Sequence, residues 1–487
     1  MAALLAGVGV VLASCSQPAG WYAPPTASAT TGSQTAGTPQ GEGAAVAPAV
    51  GRAESADRLP RVALSGIVGA PEMRVRLLKG VREARVGAIG GSGGQGEGGG
   101  VYAAALGGPG AVSGRAPTRL SGPVVVRLRG QAWEVTDATG LVGRFPVGEG
   151  LRLAATPEQA RRWNAVPAQG SRQGPRVSVN GKAYAGVLEL AARTEIDATA
   201  FDVLEQVGVE EYLKGVVLAE LPRGWPVAAY QAQAVAARSY ALHERWRSRR
   251  LGERFDVESD VGDQAYGGSA AGGPASDAVD QTAGVVLTWR GAVLRAYYSS
   301  TSGGRPASAQ DTWQTGPGYE YNLSGPIQAQ ARPEYGQTSP HFRWTVTRTR
   351  GDLTSRLRHW GRRNSDTLAG LTGIERVTVS EKNAAGRPTK YLVVQPGGQS
   401  YTIGAESLRW ACNLDGAGAR PLATGDRLRS GDMEWTITGE AVTIRGRGFG
   451  HGVGLDQWAT KELGERGKGW QEILSLFYPG ARIERAY

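Results

Sequence analysis

Apolar residues recur along this chain with two different periods, and each predicts a different kind of element. From residue 59 to about 170, short runs alternate apolar with polar positions between turn residues, as in "RVALSGIVG", "MRVRLLKG", "VVVRLRGQAWEVTD" and "LRLAAT". A period of two with β-branched content predicts strands, and "RVSVNGKAYAGVLELAART" continues the pattern. The glycine-rich "GAIGGSGGQGEGGG" interrupts it. This insert lacks the Lys-Ser/Thr ending and the strand-to-helix setting of a phosphate loop, so a solvated loop is expected.

After Asp202 the period lengthens. "GVEEYLKGVVLAEL" has helical spacing and is closed by Pro222, which lacks an amide hydrogen and biases its predecessor away from helix. "PVAAYQAQAVAARSYALHERWRSRR" opens with Pro226 in a favourable first-turn position and is alanine-rich, as a closely packed buried helix would be. "GVVLTWRGAVLRAYYSSTSGG" predicts a strand pair turning at Arg290-Gly291. Strands are expected again near Trp344, over 377–379, 391–394 and 433–444, and the tail reads as a short helix and a final strand. The fold class is therefore α+β: mixed strands with a central Ala-rich helix pair, preceded by a smaller strand-rich region.

The first 58 residues follow neither period. Residues 16 to 56 are mostly Ala, Thr, Ser, Pro, Gly and Gln, too poor in large apolar groups to offset the entropy of ordering, and read as a tether. Before it, "MAALLAGVGVVLASCSQPAG" is an apolar run too short to span a bilayer. Its Leu-Ala-Ser-Cys ending resembles the lipobox of bacterial lipoproteins, which makes Cys15 the expected lipidation site; the run departs from that pattern in having no Lys or Arg before it. The expected organisation is a lipoprotein-type signal peptide over 1–14, a tether over 15–58, the strand-rich region over 59–170 and a larger domain over 171–487. Such a protein would sit in the cell envelope, outside the cytoplasm, and touch the membrane through its lipid anchor only.

Composition sharpens this modestly. A chain of 487 residues exceeds one ordinary core, and 73 glycines are too many to lie inside packed elements. The net charge of +10 comes from scattered arginines and favours an anionic polymer or surface as partner. No helix-turn-helix, zinc-finger or RNA-binding signature accompanies it, so no nucleic acid is expected. Cys412, in "RWACNLDG", is expected to be a small buried thiol.

One residue interrupts an apolar stripe. At about 100° per residue, Val209, Leu213, Val216 and Glu220 share one arc, flanked by Tyr212 and Val217. A carboxylate so placed finds a buried partner or lines a cleft, where desolvation would raise its pKa toward that of a general acid working near neutral pH. By position alone, a solvated helix end or a structural ion pair is the competing reading.

The stretch "VEEYLKGVVLAELPRGWPVAAYQAQAVAARSYAL" resembles the signature of the SpoIID/LytB family, the stage II sporulation protein D and amidase-enhancer relatives. In order after it, "DVGDQAYGG" (260–268) looks like the family's Gln-x-Tyr-x-Gly element, "YYSSTSGGRPASAQDTW" (297–313) like its Ser-x-Ser-Gly-Gly segment, and "GRGFGHGVGLDQWAT" (446–460) like its Gly-His-Gly-Val-Gly box. The likeness runs over roughly 177–487.

The resemblance implies a peptidoglycan lytic transglycosylase that cuts MurNAc-GlcNAc strands to 1,6-anhydro ends, needing no cofactor. The glutamate of the family's Glu-x-Pro element corresponds to Glu220, as acid and then base. Softer implied roles fall on Arg238, as a carboxylate ligand or an ion-pairing core arginine, and on Gln264, Tyr266, Ser300, Ser302, Gly303 and Gly304 as groove lining. Trp313 and Tyr319 would stack on sugar, His451 would hydrogen-bond sugar or Glu220, and Gln457 would bind sugar. Some members hold zinc through a Cys-x4-His-Cys cluster; here Val257, Gly262 and Asp263 occupy those positions, and no metal is expected. Asp456 stands where relatives usually have serine. Two alternatives stay open: a non-catalytic peptidoglycan-binding amidase enhancer with a cell-wall amidase as partner, and a hydrolytic muramidase in which Asp256, Asp260 or Asp263 activates water.

Overall fold

The alternation in "MRVRLLKG" becomes strand β1 (Glu72–Val81), with Met73 and Val75 fully buried. The structure, a computed structural model, describes residues 69–89, 100–106, 116–161, 175–193, 195–260, 262–269, 272–416 and 420–487. Cys15, the signal-like run, the tether and most of the glycine-rich insert lie outside these. Two units result: the described residues of Val62–Arg295 with Ile483–Tyr487, and those of Ala296–Arg482.

In the first unit, β1 pairs antiparallel with β3 (Phe201–Gly208), and β3 with β2 (Val187–Ala192). Gly150–Ala154, Val101–Leu106 and Thr118–Leu120 extend this sheet beyond β2, while Val257–Glu258 lies parallel to β1 on the other side. Strands from both sides of residue 170 thus share hydrogen bonds. A second sheet of the unit runs from Lys182–Tyr184 through Glu83–Ile89 to Val142–Pro146. Strand β3 alternates as its sequence requires, turning Phe201, Val203 and Val207 inward, but the same face carries Glu205, also fully buried.

Helix α1 (Val209–Glu220) follows β3 directly and buries Val209, Tyr212, Leu213, Val216 and Val217. It stops where Leu221 turns extended ahead of Pro222. Helix α2 (Val227–Arg250) is buried on nearly every side through its first five turns, which its alanines permit because small side chains let neighbouring elements approach. The loop between them is tied down by Tyr230, whose hydroxyl donates to the Pro222 carbonyl at 2.7 Å and accepts the Trp225 amide at 3.3 Å. Strand Val285–Trp289 then pairs with Ala292–Val293 through the expected turn, Arg290 and Gly291 both having positive φ.

The second unit packs helices Arg350–Arg363 and Ala405–Asn413 against two three-stranded sheets, with Trp344, Leu357, Tyr391, Leu408 and Ile444 in the core. Cys412 lies in this core, and burial pushes its thiol up to about 12. Helices α3 (Gln457–Glu465) and α4 (Trp470–Phe477) follow. Among the described residues, no helix is long and apolar enough to cross a membrane.

Candidate active site

Glu220 is the last residue of α1 and is half-buried. Its Oε1 accepts the backbone amide of Ala265 at 3.0 Å. The residues flanking that amide explain its position. Gln264 is buried, accepts from the Tyr212 hydroxyl at 3.1 Å and donates to the Ala237 carbonyl at 3.2 Å, joining the segment to both helices. Tyr266 is buried against the rings of Tyr212 and Tyr184, with centroids 4.9 and 6.0 Å away. With both neighbours anchored, the intervening peptide is held with its N–H toward the carboxylate. Gln264 and Tyr266 were expected to line a sugar groove; they turn inward and hold the loop.

Helix α1 receives this loop at Gly215. The Gly267 amide donates to the Gly215 carbonyl at 3.2 Å, and Lys182 Nζ donates to the Tyr266 carbonyl at 2.9 Å. A Cβ at Gly215 would lie 2.2 Å from the Gly268 carbonyl oxygen and 2.5 Å from the Tyr266 ring, so the close approach requires glycine.

Beneath Tyr266 sits Glu205, which accepts the Gly186 amide at 2.8 Å and faces the Tyr266 hydroxyl. Burial pushes its carboxyl up to about 7, against the pull of those donors and of Lys182. The signal was available in "FDVLEQVG", where period two puts Glu205 in register with Phe201, Val203 and Val207.

Arg238 is fully buried, and its guanidinium meets Glu210 in a two-point contact of 3.0 and 2.6 Å while donating to the carbonyls of Val285 and Val279. Glu210 further accepts the Gly284 amide and the Tyr487 hydroxyl. Of the two roles open to Arg238, the structure places it as an ion-pairing core residue locking α1 to α2. Glu210 had not been singled out.

The additional carboxylates are also engaged. Asp256 is buried between Arg74 and Arg249, at 2.7 and 3.3 Å. Asp263 accepts from the Tyr240 hydroxyl at 2.9 Å and the Glu258 amide at 2.8 Å, and burial with the neighbouring Glu244 charge raises its pKa. Asp260 is exposed and accepts the Gly262 amide. Val257 is a buried strand residue opposite Val75.

In the second unit, Asp456 organises the Ser-x-Ser-Gly-Gly segment. One carboxylate oxygen accepts the Ser302 amide at 2.7 Å, the Ser302 hydroxyl at 2.8 Å and the Thr301 hydroxyl at 3.2 Å; the other caps α3 through the Ala459 amide. Ser302 belongs to this framework, and Gln457, which follows Asp456 as the first residue of α3, is buried. Gly303, at φ 65°, approaches the backbone of 447–448 so closely that a Cβ would meet Gly448 N at 2.5 Å, and Gly304 lies against Glu334. The close approach at Gly303 is to backbone and at Gly304 to the Glu334 side chain. The Ser300 hydroxyl is buried and has no hydrogen-bond partner among the described residues.

Trp313 stacks on Tyr297 at 4.0 Å, and the His451 ring meets Trp313 edge-on at 4.8 Å. His451 Nδ1 accepts the Val453 amide at 3.0 Å, which puts the proton of the neutral ring on Nε2. Tyr319 lies beside Tyr321.

Comparison with known proteins adds the following. Residues 197–289 match the family model described as "Stage II sporulation protein", SpoIID, and residues 320–454 match a domain of unknown function. The chain is 26% identical over 330 residues to the "Amidase enhancer" of Bacillus subtilis strain 168, covering 63% of this chain and 45% of that protein, so it spans less than half the length of this relative. It is 26% identical over 310 residues to the "Stage II sporulation protein D" of the same strain, covering 59% and 78%. The Bacillus amyloliquefaciens protein of that name is 25% identical over 351 residues, covering 69% and 91%.

Proposed function

Because the chain belongs to the SpoIID/LytB family, we propose that it is a peptidoglycan lytic transglycosylase with Glu220 as its acid and base. The observation that carries this reading is the Glu220–Ala265 contact: a half-buried carboxylate of the Glu-Leu-Pro element held by a backbone amide of the Gln-Ala-Tyr element. In the reaction, Glu220 donates its proton to the glycosidic oxygen as the bond to MurNAc C1 breaks. The C6 hydroxyl oxygen then bonds to C1 and gives its proton to the Glu220 carboxylate, which returns to its starting form. One carboxylate suffices because no water is activated.

For the hydrolytic alternative, Asp256 and Asp263 are poor candidates, since their oxygens are taken up by guanidiniums, a hydroxyl and an amide inside the fold, which leaves the exposed Asp260 as its candidate base. An amidase-enhancing role without catalysis is the second reading, favoured by the likeness to the amidase enhancer. Action outside the cytoplasm, a lipid anchor at Cys15 and the positive charge meeting an anionic wall complete the proposal.

The test is mass spectrometry of purified glycan strands, with and without stem peptides, after incubation with wild type and Glu220→Gln. Anhydro-muramyl ends are expected from wild type, lowered about 10²–10⁴-fold in the variant. Intact glycan from both, with wall binding retained, would move the assignment to the amidase-enhancing role, and reducing ends would move it to hydrolysis.

A further inference from the structure

Within the unit formed by residues 296–482 lies a cavity of about 170 Å³ in which the chemistry above has no part. Pro306, Pro326, Phe477 and Pro479 supply apolar walls, Gly454 supplies backbone from the Gly-His-Gly-Val-Gly box, and Arg332 supplies a cation. The Arg332 guanidinium lies over the Phe477 ring, 4.4 Å from its centroid. Among the described residues, its buried Nη2 has no hydrogen-bond partner and no carboxylate pairs with it. Asp456 contributes a favourable field, but its oxygens are occupied by Thr301, Ser302 and Ala459. Burial makes Arg332 release its proton more readily than usual, yet a guanidinium remains charged in proteins. Arg332 is half-buried, and enclosing its Nη2 without a partner or a paired anion is costly, so the group calls for an explanation.

We propose that this cavity binds a carboxylate carried on a small aliphatic group, with Arg332 as the counter-ion. The planar guanidinium lies over Phe477 and has its Nη2 donor unspent, and a guanidinium fork matches the two in-plane oxygens of a carboxylate. One cation balances one negative charge; a phosphate monoester carries nearly two and would leave the excess unpaired. Proline and phenylalanine walls accept a methyl group, and of the polar lining residues Gln328 already donates to the carbonyls of Asn322 and Ser324 and Ser475 to that of Gln471. A volume of about 170 Å³ is below the roughly 300–1,000 Å³ of sites that enclose a whole ligand, so the cavity takes the end group of a longer molecule. The D-alanyl end of a stem peptide has this chemistry; that identification rests on the peptidoglycan reading, whereas the carboxylate site does not.

The experiment is calorimetric titration of the full chain with N-acetyl-D-alanine, N-acetyl-D-alaninamide and dimethyl phosphate. N-acetyl-D-alanine should bind saturably at one site, the amide should not, and Arg332→Gln should weaken binding at least tenfold with its unfolding temperature preserved. Ser475→Trp, at an exposed α4 position on the cavity wall, should weaken binding equally by obstructing the cavity while leaving the cation in place. This variant decides the matter if Arg332→Gln does not fold. The proposal is overturned if wild type binds no carboxylate, if either folded variant binds as wild type does, or if dimethyl phosphate binds more tightly than the carboxylate. Glu220→Gln should bind N-acetyl-D-alanine like wild type, so failure of the transglycosylase assignment and failure of this site are separately visible.

Discussion

Glu220 and Ala265 are 45 residues apart in sequence and meet through a carboxylate oxygen and a backbone amide at 3.0 Å. A backbone donor cannot be removed by replacing its own side chain. The contact is therefore reached through what holds the loop: Gln264, Tyr266 and the glycine surface of α1.

Gly215→Ala tests that dependence. The added methyl would meet the Gly268 carbonyl and the Tyr266 ring, so the loop must shift and carry the Ala265 amide with it. A displacement of about 1 Å near reacting groups can cost roughly 10²-fold in rate, and overpacking typically costs about 1–3 kcal/mol. Anhydro-product yield should fall at least about tenfold while far-ultraviolet circular dichroism reports a folded chain. Unaltered yield would mean that the loop contact is dispensable.

Arg238→Met should act on stability. Removing the guanidinium leaves Glu210 charged and enclosed, which typically costs about 3–5 kcal/mol. Urea unfolding should show the loss, and Glu210→Leu combined with Arg238→Met should recover part of it. An arginine serving only to bind substrate would leave the unfolding midpoint of Arg238→Met unchanged.

Glu205 predicts a pH dependence with a definite sign. Its carboxyl is raised from the ordinary 4.5 to about 7 in the folded chain, so its contribution to stability is fully present below 4.5 and lost as pH rises through about 7. The limiting size is about 3 kcal/mol. Between pH 5 and 8 the unfolding temperature of wild type should fall relative to that of Glu205→Gln, whose amide oxygen can still accept the Gly186 amide. Parallel curves would show that Glu205 does not titrate in that range.

Period and punctuation made much of the fold legible. The stripe of α1, the prolines around the 221–226 loop and the turn at Arg290-Gly291 are local signals, and each matches the structure. Pairing across long separations was not legible: alternation identifies β1 and β3 as strands but carries no information that residue 75 lies opposite residue 205. The site divides in the same way. Glu220 stood out because it broke a local apolar pattern, while the inward turn of Gln264 and Tyr266 depends on partners at Tyr212, Tyr184 and Ala237. Arg238 offered both of its roles in sequence, and only the position of Glu210 distinguishes them. Asp456 looked like a departure from a family pattern; its work as a helix cap and a clamp on Ser302 appears only when the segments meet.

The chain's last residues return to its earlier unit. The Tyr487 hydroxyl donates to Glu210 at 2.5 Å, Glu484 accepts from the Thr288 hydroxyl, and the Ala486 amide bonds the Gly284 carbonyl. Residues 296–482 are thus inserted, in chain order, between the bulk of this unit and the five residues that complete it. Loss of residues 483–487 would strip Glu210 of the Tyr487 hydroxyl and the Gly284 carbonyl of its amide partner, so damage to this short stretch acts on a unit whose other residues lie before the whole 296–482 segment.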